Sequence, residues 1–178
     1  MSNTLHIIAI WAHILGIALF VGPQFFLALA WVPVSRGIAD QATRVDLTAK
    51  LTKRFGWIGG AGLLLIVVAG SYLISDWRDF YSYPDEAGFT DIRYGVLFIV
   101  KMSLFIVMLA VVAGHTFLVG PRLVEKLQDQ LVRKATDDDV RRARMASRAF
   151  SMVGLTLALA IMVLGVMMNT TNFSFRAS

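Results

Sequence analysis

The chain has 178 residues, 57% of them hydrophobic and 16% charged, with a mean hydropathy of +0.66 and a net charge of +5. Soluble domains are about 45–50% apolar and about 25% charged, so this composition excludes an ordinary water-soluble domain and points to a lipid bilayer. With no cysteine, disulfides, thiolate metal sites and thiol catalysis are excluded too.

Spanning a bilayer takes roughly 20 residues, and four apolar runs reach that length, at about 5–32, 55–75, 94–120 and 150–170. The expected fold is an all-α, integral membrane four-helix bundle forming a single domain over residues 1–178. The first run has no basic n-region, exceeds the length of a signal-peptide core and lacks a small-x-small cleavage site, so it reads as a helix of the protein itself.

Within the first run, His6 and His13 lie seven residues apart, which places both on one helix face about 10.5 Å apart along the axis. That spacing is too long for one metal ion. It suits one histidine holding the centre of a cofactor while the other meets its polar edge. Ionisable groups at membrane depth are costly and are functional candidates by default. Neutral imidazole is a common metal and haem ligand, and an inward histidine hydrogen-bonded to a neighbouring helix is the plainer alternative. Ala9, Ala12 and Gly16 leave room for a close neighbour, whether a helix or a flat macrocycle. Gln24 is the uncharged polar group of the same run, after Pro23.

The 33–54 segment carries five basic residues against two acidic ones. The second run opens with "RFGWIGGAG", whose Gly56, Gly59, Gly60 and Gly62 give a bare face suited to tight helix packing, or to a cofactor near the same end. The 76–93 segment reverses the charge, with five acidic and two basic residues and several aromatics, as an interfacial cap would have.

In the third run, Lys101 lies about seven residues from the acidic end, roughly 10–12 Å deep and level with His13. It either snorkels to the surface or neutralises an anion such as a haem propionate or a substrate carboxylate. His115 lies near the opposite end. Its depth differs from that of His13 by about 20 Å, so straight helices forbid the two from sharing one iron. His115 therefore belongs to a second site or hydrogen-bonds to a carbonyl or hydroxyl. "RLVEKLQDQLVRK" continues the third helix past Pro121. Thr136 starts the fourth as an N-cap, with Asp137, Asp138 and Asp139 in its first turn. The 121–149 segment holds eight basic and five acidic residues. Basic loops stay in the cytoplasm, which predicts cytoplasmic helical extensions and extracytoplasmic termini in a prokaryotic-type inner membrane. "FVGPQF" at 20–25 and "LVGPRL" at 118–123 form a faint internal echo. The methionines Met102, Met108, Met152, Met162, Met167 and Met168 could offer thioethers to Cu(I) or haem iron, but without an M-x-x-M pattern they read mostly as core or lipid-facing residues.

"LHIIAIWAHILGIALFVGPQFFLALAWVP" resembles the first helix of the CopD-like copper-resistance membrane proteins, with His13, Gly22, Phe25, Phe26 and Pro33 on its pattern. "KRFGWIGGAGLLLIVVAGSYLI" is similar to their second helix. "VLFIVKMSLFIVMLAVVAGHTFLVGPRL", with Lys101 and His115, is similar to the third, and "SRAFSMVGLTLALAIMVLGVMM" to the fourth. The same superfamily includes the HemJ type, a haem-b membrane protein linked to protoporphyrinogen oxidation. Its key histidine in helix 1 would fall on His6 or His13, and its key lysine in helix 3 on Lys101. The resemblance implies haem b, one or two per protomer, held by His13 or His115, and electron transfer or oxidation of a small molecule by a membrane oxidoreductase. Copper, moved by a permease, is the alternative cofactor or cargo. A cofactor-free accessory subunit is the third reading. The expected partners are the lipid bilayer and either a homo-oligomer or a larger membrane complex, with no nucleic acid.

Overall fold

The computed structural model describes residues 3–75 and 88–174. Among them, four helices are long and apolar enough to cross a membrane: α1 (Asn3–Ser35), α2 (Gln41–Ser75), α3 (Arg93–Leu131) and α4 (Asp137–Asn169). A short α5 (Thr171–Ser174) follows. The chain is thus an all-α membrane bundle. Most of the acidic 76–93 segment lies outside the described residues.

α2, α3 and α4 run well past the apolar spans at the basic end, because local capping signals there stop and start helices cleanly. Asp40 stands before α2, and its carboxylate accepts from the backbone N–H groups of Ala42 (3.2 Å) and Thr43 (3.0 Å) and from the Thr43 hydroxyl. The Thr136 hydroxyl accepts from the Asp139 N–H (3.2 Å), and the Asp139 carboxylate accepts from the Thr136 N–H (3.1 Å). This reciprocal pair satisfies two donors that a helix start leaves orphaned. α3 ends with Arg133 at φ 57°, while Arg133 N–H donates to Gln130 O (3.1 Å) and Lys134 N–H to Asp129 O (2.8 Å). That pairing is a Schellman cap, in a conformation that usually takes glycine.

Two π-helical segments interrupt the spans, at Phe26–Trp31 in α1 and His115–Val119 in α3. Each is followed by a residue and then a proline, Pro33 and Pro121. Proline offers no N–H to the carbonyl four residues back, and its ring crowds that carbonyl. The widened turn reroutes the bonding: Val32 N–H donates to Leu27 O, and Gly120 N–H to His115 O, each five residues back. The echo of 20–25 with 118–123 has no such counterpart, since Pro23 lies inside regular α-helix; the segments that share the π turn are 26–33 and 115–121.

α1 packs chiefly on α2, and α3 on α4. The closest approach within the first pair is at Gly16 and Gly62, where a Cβ on either would lie 2.7 Å from the other's carbonyl oxygen. The pairs join through Phe20, Val21, Met108 and Ala158. A second cluster, Ile92, Tyr94 and Met168, closes the acidic end with Phe89 and Phe98.

Candidate functional site

His13 is half-buried on α1 and faces α2. Its Nδ1 lies 3.1 Å from the carbonyl oxygen of Ile66. A carbonyl can only accept, so Nδ1 carries the proton and donates. In the neutral ring Nε2 is then the nitrogen with a free lone pair. Gly70, one turn beyond Ile66, seats the ring: a Cβ there would lie 3.2 Å from His13 Cε1 and 3.4 Å from Nδ1.

Lys101 on α3 is half-buried, with its Nζ directed to Gly165 of α4, where an added Cβ would lie 3.7 Å away. No carboxylate among the described residues pairs with it. His13 and Lys101 thus stand on opposite helix pairs, His13 against Ile66 and Gly70 of α2 and Lys101 against Gly165 of α4. His6 is half-buried near the start of α1, two turns from His13. Gln24 turns back on its own helix, donating to Phe20 O at 3.2 Å.

His115 sits elsewhere. Its Nε2 lies 3.2 Å from the hydroxyls of both Ser147 and Ser151 on α4. Those serines are 14 to 18 residues from Gly165, or about 21–27 Å along the helix. His115 itself is 14 residues, about 21 Å, from Lys101. Helical rise thus keeps His115 and its serines about 21 Å or more from the level of Lys101 and Gly165. Gly62 packs on α1 and not beside His115, while Gly56 and Gly60 would meet nothing within 4 Å. His115 is thus not within 4 Å of a Cβ at either position. Of the methionines, Met108 and Met168 are core residues, whereas Met152 is 70% exposed. Among the described residues no three His, Cys, Asp or Glu side chains converge.

Sequence reasoning missed Gly70 as the seat of His13, Gly165 beside Lys101 and the π turns, and it offered a hydroxyl partner for His115 without identifying Ser147 and Ser151. The i,i+4 spacing of Ser147 and Ser151 and the matched x-Pro positions were the available signals for the serine pair and the π turns.

Four long apolar helices with polar groups held between them define a multi-pass membrane protein. The family model for copper resistance protein D matches residues 49–168, about two-thirds of the chain, and the protein belongs to that family. The matched segment contains Lys101 and His115 and leaves out α1 with His6 and His13. No curated protein and no solved structure matches the chain.

Proposed function

We propose that this CopD-family membrane protein binds haem b through Nε2 of His13 and uses it for electron transfer or for oxidation of a small molecule within the membrane. The observation that carries this reading is the Ile66 carbonyl on Nδ1. It fixes the tautomer and aims a lone pair from Nε2, as a carbonyl that accepts from the other ring nitrogen of a metal-binding histidine does. The donor set also fits: haem brings four nitrogens of its own, so one imidazole suffices. Lys101, expected at the same level and without a carboxylate partner among the described residues, would pair with a propionate. When bound, the haem supplies a one-electron couple. The chain's residues orient the ligand nitrogen, balance the anionic edge and keep water out. Because Nε2 of His115 is already held by two hydroxyls, one haem per protomer is favoured over two.

The family description favours a second reading, in which copper is the cargo and His13 with methionine thioethers passes Cu(I) along. Purified protein decides between them. A Soret band with a sharp reduced α band supports haem. No such band, with copper by elemental analysis, supports the permease, and neither would leave an accessory subunit. We further propose that the basic end faces the cytoplasm of a prokaryotic-type cell, placing the His13 site in the outer half of the inner membrane. Assembly with further copies or subunits is compatible with this arrangement.

A further inference from the structure

At the basic end, Gln41 of α2 donates to Gln130 of α3 (3.1 Å), and Gln130 donates to Asp137 of α4 (2.6 Å). This layer fixes the register of three helices, so depth can be counted from it at 1.5 Å per residue. Arg122 lies about 12 Å from the layer, Arg148 about 17 Å, Lys53 about 18 Å and Arg54 about 20 Å. The four cations, on three helices, fall within a band about 8 Å thick. The headgroup layer of one leaflet is about 5–8 Å thick, the difference between the full bilayer and its hydrocarbon core shared over two faces.

Ion pairing takes up several of the cations between the layer and this band, although Arg144, about 10 Å from the layer, is exposed and unbridged among the described residues as well. Lys126, Arg141 and Arg142, about 6–8 Å from the layer, are bridged to Asp129, Asp138 and Asp139. Lys50 is bridged to Asp46. Lys53, Arg54, Arg122 and Arg148 are exposed and make no salt bridge among the described residues. Trp57, one turn from Lys53 toward the hydrocarbon, is 77% exposed, where an indole anchors at the boundary.

We infer that Lys53, Arg54, Arg122 and Arg148 form a binding belt for the phosphate headgroups of anionic phospholipids. A guanidinium offers phosphate a paired set of donors, and a basic surface at the headgroup level concentrates anionic lipid. Charge also argues against a second copy of the chain as the occupant. A parallel two-fold contact over Gly56 and Gly60 would set Lys53 and Arg54 of both copies against each other, and residues 47–75 contain no carboxylate.

The test uses the full chain in mild detergent, offered phosphatidylglycerol or phosphatidylcholine, with retained lipid counted by native mass spectrometry. Wild type is expected to retain phosphatidylglycerol at least about tenfold better, and each cation removed to cost roughly fivefold. The variant K53Q/R54Q/R122Q/R148Q should show no preference, and K126Q/R141Q should keep it. Equal retention of the two lipids by wild type, or an unchanged preference in the fourfold variant, overturns the belt. If the fourfold variant does not fold, R54Q and R122Q singly decide, each losing or keeping its share. A dimer stable in phosphatidylcholine and abolished by Gly60→Leu would assign the face to a second copy and also overturn it.

Discussion

His13 and Ile66 are joined by a hydrogen bond of 3.1 Å from Nδ1 to a main-chain carbonyl, across the interface of α1 and α2. The bond leaves Nε2 as the ring's only acceptor. His13→Ala is therefore expected to lose bound haem, while His6→Ala, two turns nearer the helix start, retains most of it. Gly70→Leu should lower haem content without touching the ligand, because even a Cβ at Gly70 comes within 3.2 Å of the ring. Haem-to-protein ratio from the absorption spectrum is the readout. A near-native spectrum in His13→Ala would remove His13 as the ligand.

His115 tests the number of haems. With Ser147 and Ser151 both at 3.2 Å from Nε2, His115→Ala should leave haem content at one per protomer and lower stability instead. Removing a partner from a hydrogen-bonded polar group costs about 1–3 kcal/mol when fully buried, and the lower end applies to this half-buried site. Thermal unfolding in detergent, run beside the spectrum, reads both effects. A fall from two haems to one would make His115 a ligand.

The spans were legible because hydropathy over twenty residues is a strong signal, and the helical ends because Thr136 and its aspartates write a cap in sequence. The shared level of His13 and Lys101 is an expectation from counting residues, since a membrane fixes depth and a helix fixes rise. Azimuth was not legible in the same way. Which of Gly56, Gly59, Gly60 and Gly62 faces α1 depends on helix rotation. Nearly uniform apolarity around α2 leaves no moment to read. Only the structure singles out Gly62 and turns Gly60 outward. The π turns were hidden for a related reason: proline announces a disturbance but not how the backbone absorbs it.

Asp40 carries a pH dependence. The Thr43 hydroxyl and the backbone N–H groups of Thr43 and Ala42 hold its carboxyl below the ordinary carboxylate range. A depressed native value means the stabilisation is complete above the unfolded value of about 3.9 and fades as pH falls through the native value. Asp40→Asn keeps a capping oxygen without a titrating group. Wild type should lose stability relative to Asp40→Asn as the pH is lowered from 5 toward 3, read by thermal unfolding. Parallel curves for the two proteins over that range would assign no role to the carboxylate.

Orientation is read from charge alone. Thirteen of the seventeen basic residues lie in 33–54 and 121–149, and such loops resist translocation. A reporter fused after Ser178 should behave as extracytoplasmic, and one inserted near Lys134 as cytoplasmic. The opposite pattern would place the His13 site in the cytoplasmic half of the membrane and reverse the side from which electrons or copper reach it.

Gly62 and Gly60 make a matched pair on α2, two residues apart and opposite in environment. A Cβ at Gly62 would lie 2.7 Å from Gly16 O, 2.9 Å from Leu19 Cβ and 2.9 Å from Phe20 N. Two of these are backbone atoms that cannot swing aside, so Gly62→Ala must push α1 and α2 apart. Overpacking of this kind costs about 1–3 kcal/mol. It also moves Ile66, one turn along, away from His13, so haem affinity should fall with stability. A Cβ at Gly60 meets nothing within 4 Å. Gly60→Ala should be neutral or slightly stabilising, since alanine is the better helix former by up to about 1 kcal/mol. Unfolding midpoints and haem content measured on both variants check the contrast. Equal behaviour of the two would mean that α2 does not meet α1 through Gly62, and the seat of His13 on Ile66 and Gly70 would fall with it.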